Sequence, residues 1–231
     1  MKKITVLSGK GGVGKSSITA SIGVILARKH KILCVDCDVD ASNLALVLEI
    51  KKKDFENWQK TSTNQKAIFD YDKCISCKKC LNACYFNAIS FDDKPRLKQF
   101  GCEGCGVCKL VCPVDAIDME RVYNAKIGYG KTDYGFNIVT GQLGIGQSGS
   151  GKVVTKLKDL SDQIGKDCEY ILNDAAAGIG CPVIASVTGS DYVIAVTEPT
   201  PSGFPPLALL HYQQIPFLPP HYLPPPQPCL H

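Results

Sequence analysis

The fold of this chain is decided by the stretch GKGGVGKS, residues 9–16, which satisfies the pattern G-x-x-x-x-G-K-[ST]. A short apolar strand, 4–7, precedes this stretch, and a segment with helical periodicity, 16–28, follows it. Backbone N–H groups of such a loop surround phosphate oxygens, and the positive end of the following helix adds to the attraction. The sequence therefore predicts a P-loop that binds ATP, with Lys15 on the β- and γ-phosphates and Ser16 as a ligand of Mg²⁺.

The candidate nucleotide-binding residues belong to this loop or follow it directly. They are Gly9, Gly11, Gly12, Val13, Gly14, Lys15, Ser16 and Ser17. A second stretch, GQSGSGK at residues 146–152, also matches most of the pattern, but Val153 follows it and offers no hydroxyl group to Mg²⁺. The second stretch is therefore interpreted as a loop and a helix start rather than another nucleotide site.

The rest of the chain alternates between strands and helices on both sides of a cysteine-rich segment. The predicted elements are a strand at 32–35, a strand at 136–139, a helix at 151–164, a strand at 170–172 that ends at Asp174, a helix at 182–188 and a strand at 192–196. This alternation indicates a doubly wound parallel sheet with right-handed crossovers, of the α/β class. The polar stretch 51–66, with lysines at 51–53, is interpreted as a solvated connector.

Eight cysteines form two runs with the spacing C-x2-C-x2-C-x3-C. The first run is Cys74, Cys77, Cys80 and Cys84, and the second is Cys102, Cys105, Cys108 and Cys112. This spacing is the bacterial ferredoxin pattern for [4Fe–4S] clusters, in which the fourth cysteine of each run binds the other cluster. The sequence therefore predicts two clusters, one on Cys74, Cys77, Cys80 and Cys112 and the other on Cys102, Cys105, Cys108 and Cys84.

The segment 67–122, which holds these runs, is predicted to be a small ferredoxin-like α+β insert. Ala-Ile pairs at 88–89 and 116–117 stand at matching places after the two runs, which indicates an internal duplication. Zinc is the alternative metal, since four-cysteine sites also bind it. Zinc sites, however, usually pair two C-x2-C knuckles across a longer spacer, so the tighter spacing here favours iron–sulfur clusters.

Three of the other cysteines deserve an interpretation of their own. Cys34 and Cys37 lie at the end of a predicted buried strand and are interpreted as core thiols. Cys181 follows the predicted strand that ends at Asp174, and a buried inert thiol is the preferred interpretation, with a role as a cluster ligand left open.

Composition is typical of a soluble globular protein, with 231 residues of which 45% are hydrophobic and 21% charged. The net charge of +4 is too small to predict a nucleic-acid partner. The chain has no run of 18 apolar residues and its apolar start is too short for a signal peptide, so no membrane partner is predicted. Thirteen cysteines in such a chain favour metal binding in a reducing cytoplasm over disulfide bonds.

Lys10 and Lys15 together give the signature K-G-G-x-G-K-[ST]. With it the chain resembles the deviant Walker-A ATPases of the MinD/ParA and nitrogenase-iron-protein superfamily. The resemblance covers residues 1 to about 203, including the segment 196–203. It implies an ATPase that forms an ATP-dependent homodimer, in which Lys10 reaches the nucleotide of the partner subunit.

The same resemblance assigns a first switch to residues 35–40, VDCDVD. Asp38 would orient the attacking water, while Asp36 and Asp40 would serve the Mg²⁺ shell or the switch. The alternative for Asp40 is a helix N-cap. The candidate catalytic residues implied by the resemblance are Lys10, Lys15 and Asp38.

A second switch is assigned by the resemblance to residues 174–178, DAAAG. Asp174 would be the Walker-B-like carboxylate, and the amide of Gly178 would lie near the γ-phosphate. The family more often has prolines where this chain has alanines, so the loop is expected to be less rigid.

The predicted organisation is an ATPase domain at 1–66 and 123–203, the insert at 67–122, and a distinct tail at 204–231. The tail has no charged residue and holds nine of the fourteen prolines, which predicts a disordered or extended segment or a shifted reading frame. Members of the family that this chain resembles continue with further helices and strands, including residues that hold the adenine base. The adenine-binding residues are therefore left unassigned.

The leading functional hypothesis is an ATPase that couples ATP binding and hydrolysis to electron transfer through the two clusters. The second is an iron–sulfur scaffold or carrier that delivers clusters during metallocofactor assembly. A redox protein or a cluster acceptor would be the respective partner. A positioning ATPase of the partitioning type and an inactive form are the remaining hypotheses, and the electron donor and acceptor are left open.

Overall fold

The computed structural model describes residues 1–50 and 55–200. The lysines at 51–53 and the tail at 204–231, both interpreted above, lie outside the described residues. The chain divides into two compact units. Among the described residues, the first unit comprises 1–50, 55–58, 128–141 and 150–200, and the second comprises Gln59–Ile127 and Gln142–Gly149.

Strands and helices follow one another in an order that contains every element predicted for the α/β part. They are β1 (Lys2–Ser8), α1 (Lys15–Ala27), β2 (Ile32–Asp36), α2 (Leu44–Val47), β3 (Phe55–Thr61), β4 (Asn64–Phe69), α3 (Lys79–Asn82), β5 (Ile89–Phe91), β6 (Pro95–Leu97), α4 (Val107–Leu110), β7 (Ile117–Val122), β8 (Ala125–Lys131), β9 (Asn137–Leu143), α5 (Ser150–Ile164), β10 (Tyr170–Ala177), α6 (Cys181–Val187) and β11 (Tyr192–Ala195). Within the described ranges, the helices are too short or too polar to cross a lipid bilayer.

The largest sheet has seven strands in the order β11-β1-β10-β2-β9-β8-β3. The five strands from β11 to β9 are parallel to their neighbours, which confirms the predicted parallel α/β fold. All five residues of β2 are buried, as expected of a central strand that has a covered surface on both faces. Parallel strands end at one edge, so the carboxyl ends of β1, β2 and β10 gather the P-loop and both acidic segments.

Close packing of α1 holds the P-loop helix against this sheet. A Cβ at Gly23 would lie 3.1 Å from the Sγ of Cys34, so the glycine lets the helix approach β2. Ala20, Cys34 and Leu172 share one core cluster with Ile138. Leu172 is fully buried, and burial of such a side chain stabilises a fold by about 2 kcal/mol.

The interpretation of 51–66 as a connector was wrong for the part that the structure describes. Residues Phe55–Thr61 form β3, an edge strand of the seven-stranded sheet, and Asn64–Phe69 form β4. Phe55 packs on the core cluster of the first unit. An edge strand leaves much of its surface in water, so its polar side chains hide the strand pattern that a central strand would show.

The second unit contains two small antiparallel sheets and two short helices. Strand β4 pairs with β7 and strand β5 pairs with β6. A small core cluster holds the unit together and consists of Ala67, Cys80, Ile89, Cys108 and Ile117. Two of these five buried side chains are cysteines from the predicted cluster runs, so the core and the candidate site are built from the same residues.

Candidate functional site

The P-loop occupies the turn between β1 and α1. Gly12 and Gly14 have φ angles of 82° and 84°, in the left-handed region where glycine carries no Cβ penalty. A Cβ at either position would meet nothing within 4 Å among the described residues, so backbone strain rather than crowding favours glycine here. The loop is open on this side, and no described side chain caps the start of α1 at Lys15. These features fit the cradle that a phosphate group requires.

Lys15 and Asp174 form a buried ion pair at the carboxyl edge of the sheet. The Nζ of Lys15 lies 2.7 Å from Oδ1 of Asp174, and the two side chains are 7% and 0% exposed. Thr19 donates its hydroxyl to the same oxygen at 3.0 Å. These two donors stabilise a carboxylate that would be costly to bury alone. The other oxygen, Oδ2, is buried without a hydrogen-bond partner in residues 1–50 and 55–200, which suits a ligand such as Mg²⁺ or its water.

Asp36 ends β2 beside Asp174 in the sheet register. Its carboxylate accepts hydrogen bonds from the backbone N–H groups of Asp38, at 3.2 Å, and Leu44, at 3.0 Å. Burial, and next the neighbouring charge of Asp174, raise the pKa of Asp36 to about 8. Asp36 therefore organises the turn that leads into α2, and its raised pKa favours the protonated form near neutral pH.

Asp38 is half-buried on the same segment. Its Oδ1 accepts the backbone N–H of Ala41 at 3.2 Å. Burial raises the pKa of Asp38, while the Ala41 N–H and the charge of Lys15 act in the opposite direction. Asp40 is exposed, and it is not the N-cap of α2, because that helix begins at Leu44 after Asn43.

The predicted end of a strand at Asp174 was wrong, because β10 continues to Ala177. The alanines keep the backbone N–H groups that prolines would lack, so the strand pairs with β1 as far as Ala177 opposite Ser8. Residues Asp174–Ala177 are therefore part of the sheet rather than a loop. Gly178 follows with a φ of 98°, and its N–H donates to the carbonyl of Ser8 at 3.0 Å.

Lys10 projects from the exposed part of the P-loop. Its Nζ pairs with a carboxylate oxygen of Glu198, and the hydroxyl of Thr200 donates to the same oxygen at 3.1 Å. The signature lysine is thus held by an acidic side chain of its own chain in this structure.

Three site residues escaped the sequence analysis. Thr19 follows Lys15 by four residues on a helix, and that spacing could have placed it on the same face. Thr140 lies opposite Asp36 in the register between β9 and β2, and its Oγ1 is buried without a partner among the described residues. Glu198 reaches Lys10 from a distant part of the chain. For Thr140 and Glu198 no local signal exists, because strand order alone brings them to the site.

Four cysteines line one cavity of the second unit, here called the first cavity. They are Cys74, Cys77, Cys80 and Cys112. The cavity has about 340 Å³ of space counted to its open mouth. These are the four cysteines that the spacing assigns to one cluster, and they include the last cysteine of the second run.

The other four predicted ligands line a second cavity of nearly equal size, about 350 Å³. They are Cys84, Cys102, Cys105 and Cys108. Burial raises the pKa of Cys80 and of Cys108, the two cysteines that also belong to the small core. A buried thiol of this kind needs a partner such as a metal ion to favour its thiolate form.

Hydrogen bonds and unusual backbone angles repeat around the two cavities. The N–H of Ala88 lies 3.3 Å from the Sγ of Cys84, and the N–H of Ala116 lies 3.3 Å from the Sγ of Cys112. Left-handed φ angles recur at Ser76, Lys78 and Asn87 and, 28 residues later, at Gly104, Gly106 and Asp115. The internal duplication seen in the sequence is therefore also present in the backbone.

The cysteines outside the two runs divide into buried and exposed thiols. Cys34 and Cys37 are fully buried, which confirms their interpretation as core thiols. Burial raises the pKa of Cys37 to about 12. The interpretation of Cys181 as buried was wrong: it is exposed at the first position of α6, ahead of Pro182 and next to an exposed loop.

Residues 146–152, the second glycine-rich stretch, form a loop and a helix start as predicted. Strand β9 ends before this stretch and α5 begins at Ser150. The hydroxyl of Ser148 accepts a hydrogen bond from Asn64 at 2.7 Å, and its carbonyl accepts one from Asn124 at 2.9 Å. These contacts give the loop a structural role within the second unit.

A P-loop between the first strand and first helix of a parallel sheet defines a nucleotide-binding α/β protein of the P-loop NTPase class. The family model of the CobQ/CobB/MinD/ParA nucleotide binding domain matches residues 4–176, more than half of the chain. The chain belongs to this family.

Several known proteins are similar to different parts of the chain. An uncharacterized protein of Methanocaldococcus jannaschii is 38% identical over 203 residues, which cover 87% of this chain and 69% of the relative. The pyruvate synthase subunit PorD of Methanothermobacter marburgensis is 43% identical over 56 residues, which cover 24% of this chain and 67% of the subunit. A structure of the septum site-determining protein MinD with Mg-ADP from Pyrococcus horikoshii has a TM-score of 0.49 and 19% identity, and the alignment covers 92% of this chain and 65% of that one. The matched segments cover 69%, 67% and 65% of these three proteins, respectively, which is about two thirds of each.

Proposed function

We propose that this protein is an ATPase that couples ATP binding and hydrolysis to electron transfer through two [4Fe–4S] clusters. The observation that carries the proposal is the presence, in one chain, of a P-loop with a buried Lys15–Asp174 pair and of two cavities that are each lined by four cysteines. Nucleotide chemistry and redox chemistry each have a separate unit.

In the nucleotide unit, the residues present fit Mg²⁺ and ATP. The loop amides and Lys15 would hold the phosphates, and Ser16 would bind Mg²⁺. The unpartnered oxygen of Asp174 and the carboxylate of Asp36 would serve the metal through its water shell. Asp38, half-buried beside these groups, would orient the attacking water. Catalysis would then consist mainly of positioning and of charge stabilisation.

We assign four-iron clusters rather than single zinc ions to the cysteine cavities because of the cysteine spacing and the four thiols that line each cavity. Each thiolate of a cubane cluster binds a different iron atom, so the four sulfurs stand around a cavity. A zinc ion would instead draw its four sulfurs to about 2.3 Å from one point. Across residues 1–50 and 55–200, no group of three or more His, Cys, Asp or Glu side chains is arranged to hold one metal ion. The clusters would supply one-electron redox chemistry to the protein.

Likeness to a pyruvate synthase subunit supports the redox part of the proposal. The identity with PorD is 43%, higher than the 38% with the longer relative, although it extends over 56 residues only. Under this proposal, the match to PorD would lie in the ferredoxin-like insert, and the longer match would include the nucleotide-binding domain. The cysteines in the described residues are free, and we place the protein in a reducing cytoplasm.

An ATP-dependent homodimer would complete the nucleotide site. Lys10 pairs with Glu198 in its own chain and lies on the exposed side of the loop, from which it can reach another subunit. ATP would favour the dimer because Lys10 could bind a phosphate of the nucleotide held by the partner subunit in place of Glu198. Closure of the dimer would change how the clusters meet a redox partner.

A cluster scaffold or carrier is the second candidate function. Cys77 and Cys105 are exposed ligand candidates, one in each cavity, so an acceptor protein could approach a cluster directly. Transfer of clusters to an apo-protein would favour this candidate, whereas clusters that cycle between two redox states without loss would favour electron transfer.

The decisive experiment starts with the full chain purified without oxygen. We expect about eight iron and eight sulfide per chain, with an EPR signal on reduction, and the same content in a Cys181→Ser control. The ATPase rate is then measured with the clusters oxidised and reduced. A rate that depends on redox state supports coupling, equal rates without a nucleotide effect on the cluster potential contradict it, and a colourless zinc protein refutes the redox function itself.

A further inference from the structure

The two cysteine cavities are lined by counterpart residues at a constant sequence offset of 28. All thirteen lining residues of the second cavity have a counterpart that lines the first. The offset holds for the apolar walls as well as the thiols: Phe69 corresponds to Leu97, Phe91 to Met119 and Ala116 to Ala88. Each cavity therefore serves as an internal control for the other.

Several features that set the reduction potential of a cluster are matched between the cavities. Cys77 and Cys105 are both exposed, and Cys80 and Cys108 are both 8% exposed. Each cavity has one cysteine whose sulfur lies 3.3 Å from a backbone N–H, donated by Ala116 in the first cavity and by Ala88 in the second. Exposure and hydrogen bonding to sulfur therefore give no reason for different potentials.

Charge is the feature in which the cavities differ. Lys78 and Lys79 line the first cavity, where Gly106 and Val107 line the second. Glu103 lines the second cavity, where its counterpart in the first cavity is the apolar Ile75.

Other nearby charges do not remove this difference. Lys73 pairs with Asp70 at 3.2 Å, and Lys109 pairs with Asp118 at 2.8 Å, so each is balanced. Lys94 donates to the carbonyl oxygen of Cys74 at 2.6 Å beside the first cavity, and Lys98 donates to Oδ1 of Asn87 at 3.2 Å beside the second, so these two lysines offset one another.

We infer that the two clusters have different potentials, and that the first electron is held in the first cavity because Lys78 and Lys79 line it while Glu103 lines the second. This inference rests on the proposed iron–sulfur function. A one-electron donor would be oxidised by one electron and the first-cavity cluster reduced by one. A second equivalent of donor would then reduce the cluster beside Glu103. Positive charge favours the more negative, reduced cluster, and negative charge opposes it.

The test exchanges residues between the two cavities in the reconstituted full chain, with the iron content measured first. An EPR-monitored redox titration of the unmodified chain should show two waves. Lys78→Gly/Lys79→Val gives the first cavity the residues of the second. It should lower the equilibrium constant for reduction in the upper wave on the order of tenfold, which moves that wave down by ~59 mV. Glu103→Ile should move only the lower wave, upward, and the triple variant should bring the waves together.

Lys156→Gln removes a lysine charge from α5 in the other unit and should shift neither wave. Lys79→Gln is a milder variant should the double variant lose iron. Iron-loaded protein with a single wave, or a lysine variant that shifts the lower wave, would overturn the inference while leaving the iron–sulfur function intact. Absence of iron would instead refute the proposed function.

Discussion

The nucleotide site and the cysteine cavities are prepared for their ligands in opposite ways. The nucleotide site brings together unlike groups, since the ammonium of Lys15 and the carboxylate of Asp174 neutralise one another within the unliganded chain. Each cavity brings together four like groups, all thiols, that would repel one another as thiolates. The first arrangement is electrically neutral as it stands, whereas four thiolates would need a cationic group such as the proposed cluster to offset their charge.

The cores of the two units lead to the same contrast. The core around the sheet rests on fully buried aliphatic side chains such as Leu33, Ile138 and Leu172. In the second unit, Cys80 and Cys108 make up two of five core residues. With the proposed clusters bound, a small core of this kind would derive much of its stability from the metal. Ligand removal should therefore affect one unit and spare the other.

Cluster removal should have the largest effect. If it did not destabilise the second unit, the contrast between the two units would be wrong. Anaerobic chelation of iron should lower the hydrogen-exchange protection of the Ile89 and Ile117 amides by about a thousandfold, because their unit loses roughly 4 kcal/mol of stability. The Val35 and Leu172 amides, in the sheet of the first unit, should keep their protection. Exchange is followed by mass spectrometry of peptides. An apo-protein that protects both sets equally would show that the second unit is stable without metal.

Removal of one partner of the buried pair should have the next largest effect. Lys15→Ala leaves the Asp174 carboxylate buried, with Thr19 as its remaining side-chain donor in the described part of the chain, and this should cost about 3 kcal/mol in the free energy of unfolding. ATP hydrolysis should fall by more than a hundredfold. Iron content should remain unchanged. The measurements are urea unfolding of the first unit, ATPase assays and iron determination.

The double variant Lys15→Ala/Asp174→Ala separates the two effects of Lys15. With both charges gone, most of the stability should return, because no unpaired charge stays buried. Activity should not return. A double variant as unstable as Lys15→Ala would show that the pair contributes through packing rather than through charge.

Local patterns could be predicted from the sequence, and contacts made by the sheet register could not. The P-loop and the two cysteine runs are short contiguous motifs, so their residues could be identified together with the residues expected beside them in space. Thr140 and Glu198 reach the nucleotide site only because of strand order. The cysteine cavities share an offset of 28 residues that was visible in the sequence, but the charges that distinguish them acquire meaning only when the lining is known.

Misread elements have related physical causes. Strand β3 was missed because an edge strand retains polar side chains, and Ala175–Ala177 were assigned to a loop although alanine leaves the N–H groups of β10 able to pair. Cys181 was assigned to the interior because cysteine usually lies there, whereas its place at the start of α6 exposes it.

A smaller effect, of up to about fiftyfold, is expected from pH, because the ionised fraction of a carboxyl group with a pKa of about 8 rises from about 1% at pH 6 to about one half at pH 8. Burial and Asp174 raise the pKa of Asp36 to about 8, so the unliganded site is mostly protonated at pH 6. Mg²⁺ favours the ionised carboxylate, so MgADP should bind more tightly as the pH rises from 6 to 8.

Calorimetric titration of MgADP at several pH values measures this dependence. Asp36→Asn should flatten the profile, and Asp40→Asn, an exposed position on the same segment, should preserve it. In the unliganded chain the sign is reversed. Because the pKa of Asp36 is raised, the free energy of unfolding falls as the pH rises from about 4 to about 8. Over this range the folded state retains a proton that the unfolded state releases. An MgADP affinity that does not change with pH would remove Asp36 from the metal shell.

The smallest expected effect is a twofold loss of iron. It tests which cysteine run supplies the fourth ligand of each proposed cluster. Cys84 belongs to the first run but lines the second cavity, with Cys105. Cys84→Ser should therefore reduce the iron from about eight to about four per chain and expose Cys105, rather than Cys77, to alkylation by iodoacetamide. Cys112→Ser should expose Cys77 instead, and Cys181→Ser should change neither. Peptide mass spectrometry identifies the alkylated thiol. Alkylation of Cys77 in Cys84→Ser would mean that each run completes its own cluster, and the crossed assignment of the two cavities would be wrong.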